Sequence, residues 1–427
     1  MTMLCGKLTS KEDDMAILRP FKAIRPVKEY AKQVISLPYD VMNREEAAAM
    51  AKDNPRSFLR ISRSEIDLPE QKDDYHVSVY EKAKENLKMF VSNGTMFCEE
   101  KPGLYIYRLT KDGRAQTGIV ACVSIDEYEA DIIKKHELTR VEKELDRINH
   151  FDICNAHTEP VFLTYREDKR ISAITEGFAT NSEPEYDFAL DDGVRHTLWH
   201  ISDESTISSI CELFKEAPYL YIADGHHRSA SSYKVGAKRR QEKPNYTGDE
   251  EFNFFLAVVF PDSELKIFDY NRVVKDLNGN TAEQFIEKVK KAGFAVEEKG
   301  TEIYRPEKKH VLGMFLEGKW YKLTIDASII PDDAVDSLDV SILQNNLLNP
   351  ILDIDDPRTN KRIEFVGGIR GLTELERRVN SDMKVAFAIY PVSMDDLLKT
   401  ADEGKIMPPK STWFEPKLGS GLFVHEF

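Results

Sequence analysis

Apolar and polar positions recur along the chain with two periods, and the switches between them mark out most of its elements. Residues 17–26, ILRPFKAIRP, read as a short strand set between prolines, and VISLPYDVMNREEAAAMAKDNP reads as a turn followed by a helix. Asn43 opens that helix, acidic residues fill its first turn, and Pro55 ends it. A second helix is predicted over residues 75–92, where Tyr80, Ala83, Leu87 and Phe90 fall on one face and Asn93-Gly94 closes it. Two-residue alternation then takes over in GLYIYRLT and DGRAQTGIVACVSI, joined by a hairpin turn at Lys111-Asp112-Gly113.

Further along, DIIKKHELTRVEKELDRINHFDICNAHTE reads as a charged helical region leading into a buried strand, PVFLTY. The stretch TEGFATNSEPEYDFALDDGVRHTLWHISD reads as a polar excursion between strands. YLYIAD is a strand, SASSYKVGAKRRQ a helix and FFLAVVF a strongly apolar strand. A turn begins at Asp276-Leu277-Asn278-Gly279-Asn280, and the helix TAEQFIEKVKKAGF stops at Gly293. Strands follow in HVLGMFLEGKWYKLTI and KVAFAIYPV, with helices near residues 336–347 and 393–403. No internal repeat or heptad run breaks this interleaving, which predicts an α+β, or mixed α/β, fold rather than a bundle.

Length and composition narrow the class. A chain of 427 residues suggests two or three domains with a core of their own, and 41% hydrophobic with 31% charged residues is ordinary for an ordered soluble protein. With 59 basic and 74 acidic residues the net charge is −15, which argues against a nucleic-acid partner and makes any anion site a local one. Cys5, Cys98, Cys122, Cys154 and Cys211 are widely spaced and contain no CxxC pair, so reduced thiols in a cytoplasm are expected. The start of the chain lacks a basic segment followed by an apolar one, and runs such as FFLAVVF are too short to span a membrane. A cytoplasmic protein without a membrane partner is the expectation; oligomeric state is not legible.

The sharpest chemistry lies in YLYIADGHHRSASS, where Asp224, Gly225, His226, His227, Arg228 and Ser229 stand between a strand and a helix. A glycine at a strand-to-helix turn lets an anion approach the amides of the helix N-terminus, and an arginine can fork onto phosphate oxygens. The two histidines can donate to the same phosphate or carry protons. A capped helix with surface histidines accounts for the motif too. As a metal set, Asp224, His226 and His227 lack the i, i+4 spacing that puts two histidines on one helix face. Asp224 can instead bind Mg²⁺ through water.

Two other stretches add candidates. His136-Glu137, followed by Arg140 and Asp146-Arg147, places a carboxylate upstream of the cradle where it can act as a general base, although KKHELTRVEKELDR also reads as a solvated helix face. In MPPKSTWFEPKLGSGL, Lys410, Ser411, Thr412 and Lys417 can close over an anion, or the aromatics can simply pack the segment down.

In this order RPFKAIRP, PYDV, HELT…DR, YIADGHHR, YNRVVKDLNG and MPPKSTWFEPKL…SGL resemble a prokaryotic family known as domain of unknown function 1015, from about residue 17 onward. The resemblance adds Pro38, Tyr39, Asp40, Arg60 and Arg272 as candidates. A common version of the family has Thr-His-Arg where this chain has Tyr270-Asn271-Arg272. More distantly, HE, an apolar Pro-Val strand and DGHHR resemble the free serine kinases of the ParB/sulfiredoxin-like fold. That resemblance implies residues 224–228 as a phosphate cradle and Glu137 as the base that activates a hydroxyl. It also implies ATP or ADP as co-substrate and a small phosphorylated metabolite as partner.

The expected organisation is an N-terminal α/β region over 1–130, a ParB/sulfiredoxin-like phosphate-binding core over 131–275, and a C-terminal α/β region over 276–427 closing the site. Residues 166–216 would be an insertion between Glu137 and Asp224. The expected function is a phosphotransferase or phosphohydrolase acting on serine or O-phosphoserine, with catalytic roles for Glu137, Asp224, His226 and His227. Gly225, Arg228, Ser229, His136, Arg147, Arg272, Lys410, Ser411, Thr412 and Lys417 would bind phosphate or nucleotide. The rival reading is a non-catalytic nucleotide-binding regulator of ParB-like fold.

Overall fold

The computed structural model describes residues 15–69 and 73–427; Cys5 and the polar leader before residue 15 lie outside the described residues. The chain is mixed α/β and divides into two compact units. One is Met1–Lys135, Thr139–Leu265 and Pro416–Phe427; the other is His136–Leu138 and Lys266–Glu415.

The first unit is built on an eight-stranded sheet. In chain order its strands are β1 (Leu104–Lys111), β2 (Arg114–Ser124), β3 (Ile133–Lys134), β4 (Val161–Tyr165), β5 (Tyr186–Ala189), β6 (Arg195–Ile201), β7 (Leu220–Asp224) and β8 (Phe254–Pro261). Across the sheet they run β3-β7-β4-β8-β2-β1-β6-β5, with β7 parallel to β3, β8 parallel to β4 and the other pairs antiparallel. β1 and β2 come from before residue 131 and the others from after it. β4 and β8 are apolar apart from Thr164, whose hydroxyl donates to the Phe260 carbonyl, because both their faces are covered. Ile106, Val123, Leu163, Ile222 and Val259 share one core with Ile171, Ile210 and Phe214.

The longer helices of this unit are α1 (Arg44–Ala51), α2 (Val77–Ser92), α3 (Val141–Cys154), α4 (Lys169–Asn181), α5 (Glu204–Phe214) and α6 (His226–Glu242). Asn43 caps α1 in a reciprocal capping box with Glu46, as its position before REE predicts. The β1–β2 hairpin turns through Asp112 and Gly113, both at positive φ, the geometry that strand twist favours.

Three readings are corrected. The charged stretch before residue 141 is not helical: His136 and Glu137 precede α3 in a loop, and His136 is buried. The stretch read as a polar excursion holds the end of α4 and two sheet strands: on β6 His196, Thr197, Leu198 and Trp199 are all buried, polar and apolar alike, so no two-residue alternation marks the strand. The second helix starts at Val77, two residues later than predicted, where the His76 side chain accepts from the Ser78 N–H.

The end of the chain returns to this unit. Ser36 and Ser420 form a two-way backbone bridge, and Val424–Glu426 is a strand between Ala23–Pro26 and Ala156–His157. Lys417 and Ser420 are thereby fixed in the first unit.

The second unit carries an antiparallel six-stranded sheet in the order Phe294–Gly300, Lys319–Ile325, Val311–Leu316, Val385–Ala388, Tyr270–Val274, Ile363–Gly367. The helix Ala282–Lys291 packs Phe285 and Val289 into its core. Among the described residues no helix is long and apolar enough to cross a membrane.

Candidate functional site

The DGHHR segment is the turn between β7 and α6. β7 ends at Asp224, Gly225 takes φ +99°, and α6 begins at His226. Glycine is needed twice over: the left-handed backbone disfavours any side chain, and a Cβ would lie 3.0 Å from Arg228 Nε. Having no side chain, Gly225 also leaves the first turn of this 17-residue helix without a side-chain cap.

Arg228 lies flat under the turn, 2% exposed. Its Nη1 donates to the Pro160 carbonyl and its Nη2 to Asp224 Oδ2 at 3.2 Å. Burial works against its charge, but the carboxylates of Asp224, Asp40 and Glu159 outweigh that cost and raise its pKa. Lys417, brought in by the returning C-terminal segment, approaches the same Asp224 oxygen at 3.7 Å. Asp224 therefore faces two cations.

A second buried cation stands nearby. Arg147 pairs with Asp146 at 2.9 Å and Glu159 at 3.5 Å, and its guanidinium stacks 3.9 Å over the Tyr39 ring. Burial opposes its charge, yet Asp146, Tyr39 and Glu159 hold its pKa above the ordinary arginine value. Glu159, 1% exposed, ties three distant segments together: its Oε1 accepts from the Tyr39 N–H at 3.2 Å and the Ser420 hydroxyl at 2.8 Å, while Oε2 faces Arg147. Burial raises the Glu159 pKa against the pull of Arg147 and Arg228, and burial drives that of the Tyr39 phenol up strongly.

Not every predicted residue serves this cluster. Ser229 is wholly buried and its hydroxyl donates back to the Gly225 carbonyl at 3.2 Å, an ordinary i−4 helix bond. His227 Nε2 accepts the Arg140 N–H at 2.9 Å, so this ring holds the start of α3 in place. His226 is buried in the first turn of α6. Arg60 pairs with Asp67 and donates to the Ala51 and Asn54 carbonyls, stapling the end of α1.

His136, Glu137, Arg272, Lys410, Ser411 and Thr412 belong to the second unit. There the His136 carbonyl accepts from the Met407 N–H at 2.9 Å. Arg272, 3% exposed, donates to the carbonyls of Tyr270 and Pro409, and burial lowers its pKa to about 10. Lys410 takes φ +58° with its ammonium 5.7 Å from the centre of the Tyr270 ring, and the Ser411 hydroxyl donates to the Pro408 carbonyl at 2.6 Å.

Sequence reasoning missed Glu159 and Ser420. A carboxylate directly before Pro160 and a buried, mostly apolar strand is the one available signal for Glu159, because a charge at that border must be paired or lie at a site. For Mg²⁺ the residues present do not fit: Asp224 is a single carboxylate already opposed by two cations. Among the described residues no three His, Cys, Asp or Glu side chains gather as a metal-holding group.

In solved structures, the fold is similar to that of a conserved hypothetical protein from Pyrococcus furiosus, at 15% identity and TM-score 0.35, covering 72% of this chain and 95% of that one. It is similar to a free serine kinase in complex with AMP, at 13% identity and TM-score 0.34, over 71% and 92% of the two chains. SbnI with a C-terminal truncation, from Staphylococcus aureus, is similar at 11% identity and TM-score 0.37, over 72% and 87%. No curated protein sequence matches the chain. Its residues 18–341 match the sequence profile described as protein of unknown function (DUF1015), and the chain belongs to that family.

Proposed function

We propose that this protein is a phosphotransferase or phosphohydrolase acting on a small hydroxyl metabolite, with serine and O-phosphoserine as the pair it interconverts. ATP or ADP is the phosphate partner if the reaction is a transfer, and the cytoplasm is the site of action. The observation that carries the reading is the β7–α6 turn: a left-handed glycine, an uncapped helix N-terminus, and Arg228 and Lys417 gathered at Asp224. Helix amides and a forked cation are the parts that phosphate recognition uses.

In this reading phosphate oxygens take the amides of the first turn of α6 together with Arg228 and Lys417. The substrate hydroxyl oxygen attacks phosphorus and the bond to the leaving oxygen breaks; the hydroxyl proton goes to a carboxylate base, the role that the resemblance to free serine kinases gives Glu137.

The test is phosphorus NMR of O-phosphoserine with the full chain, with and without ADP and Mg²⁺. Free phosphate without ADP identifies a phosphohydrolase and ATP formation a kinase running backward; the absence of both overturns the serine assignment. Glu137→Gln is expected to slow turnover by at least about 10²-fold if it is the base.

One observation favours a second reading. The cradle belongs to the first unit and Glu137 to the second, so the unit that holds phosphate carries no assigned base of its own. A nucleotide-binding regulator would use the cradle alone, and nucleotide binding with no turnover of any phosphoester selects it.

A further inference from the structure

A cavity of about 880 Å³ opens in the first unit with Asp40 and Arg147 in its wall. It borders the buried cluster, since Arg147 belongs to both: it lines the cavity and faces Glu159 at 3.5 Å. The volume lies within the range of small-molecule sites. Its lining holds seven carboxylates against four basic side chains.

All four basic side chains are engaged. Arg44 pairs with Asp74 at 2.8 Å, Arg63 with Glu65 at 2.7 Å and Arg147 with Asp146 at 2.9 Å, while Lys143 donates to the Tyr75 hydroxyl at 3.0 Å. Glu46 closes the capping box of α1. Asp40, Glu45 and Asp73 enter no ion pair among the described residues, so the wall keeps an excess of negative charge. An independent feature sits in the same wall: His150, 1% exposed, has a buried Nε2 with no hydrogen-bond partner among the described residues. A buried ring nitrogen left this way is costly unless a ligand or water meets it.

We propose that this cavity is the subsite for the ammonium end of the hydroxyl substrate, which is a small amino alcohol or amino acid. Asp40 and Glu45 meet the ammonium, and His150 Nε2 hydrogen-bonds a polar group of the same molecule. The inference rests on the reading of the β7–α6 turn as the phosphate end, because Asp40 adjoins both. A polyphosphate does not suit this wall: among the described residues four carboxylates outside any ion pair, Asp40, Glu45, Glu46 and Asp73, against Lys143 as the one lining cation outside any, leave a net negative charge that would repel it.

The test is calorimetric binding to the full chain, without turnover, of serine and ethanolamine against glycerate and glycerol, which lack the ammonium. The two amines are expected to bind and the other two not. Asp40→Asn is expected to weaken ethanolamine at least about tenfold, the loss of one charged hydrogen bond, while ADP binds no more weakly because a negative charge beside Arg228 has been removed. Glycerate binding as well as serine, or Asp40→Asn leaving ethanolamine unchanged, overturns the subsite. If Asp40→Asn lowers both affinities through misfolding, the exposed Glu45→Gln decides: about threefold weaker ethanolamine supports the subsite and no change rejects it. Amine binding without any phosphoester turnover would remove the proposed reaction and leave the subsite; ADP binding without amine binding would do the reverse.

Discussion

Replacing Gly225 by alanine perturbs the cradle in two separable ways. At φ +99° a non-glycine residue costs about 1–3 kcal/mol in backbone strain. The added Cβ also meets Arg228 Nε at 3.0 Å and Cζ and Nη2 at 3.1 Å, and that guanidinium cannot slide away without loosening its bonds to Pro160 and Asp224. Overpacking of this kind adds about 1–3 kcal/mol, and the stiffer unfolded chain returns about 0.4–1 kcal/mol. Gly113 is the internal control: it sits at φ +77° on a hairpin tip with nothing within 4 Å of a Cβ, so Gly113→Ala reports strain and chain stiffening without the contact. Thermal unfolding followed by circular dichroism should show a Tm for Gly225→Ala lower than for Gly113→Ala by about 2–12 °C, at about 2–4 °C per kcal/mol for a unit of this size. ADP affinity should fall for Gly225→Ala and not for Gly113→Ala. Equal Tm values for the two variants would refute the contact with Arg228, and unchanged ADP binding in Gly225→Ala would refute the cradle.

Lys417→Met removes one of the two cations facing Asp224; ADP affinity by calorimetry should drop about tenfold, with Tm nearly unchanged. His227→Ala takes away the acceptor of the Arg140 N–H, so amide exchange at the first turn of α3 should quicken while the rest of that helix stays protected. Burial raises the Glu127 carboxyl pKa to about 8, with the Ile17 N–H as partner to one oxygen. A raised carboxyl contributes stability that is full below its unfolded pKa and is lost as pH climbs through the folded value. Wild type should accordingly lose Tm relative to Glu127→Gln between about pH 4.5 and 8, and a constant difference across that window would refute the assignment.

The parts legible in the sequence are those set by neighbours in the chain. Asn43 with Glu46, Asp112-Gly113 and the strand, glycine and helix around residue 225 each encode their geometry within a few residues. The loop at 136–140 was misread because the charged pattern of α3 runs smoothly into it; only burial of His136 separates them. Ser229 looked like a ligand because a hydroxyl one turn after a glycine is the same in sequence whether it meets an anion or bonds back to the i−4 carbonyl. Lys417 is a candidate only as part of the basic, aromatic and glycine pattern of MPPKSTWFEPKLGSGL, and the reason it reaches Asp224, the Ser36–Ser420 bridge between opposite ends of the chain, has no local signature. Glu159 was missed for the same reason: its three partners lie on three segments that meet only after folding.

The charges of the assembled cluster constrain how it can work. Arg147, Arg228 and Lys417 are opposed by Asp40, Asp146, Glu159 and Asp224, so the protein has built no reservoir of positive charge. Arg147 is locked between Asp146 and Glu159 and is best placed to hold Tyr39 and Glu159 in position, since moving it would leave two buried carboxylates unpaired. Arg228 and Lys417 differ, because their shared partner is Asp224, which is partly exposed and ends a strand. In this structure the Asp224 carboxylate occupies the role an anionic ligand would take between those two cations. It holds them against their mutual repulsion, and in the proposed function a phosphate would take the place of that carboxylate between the two cations.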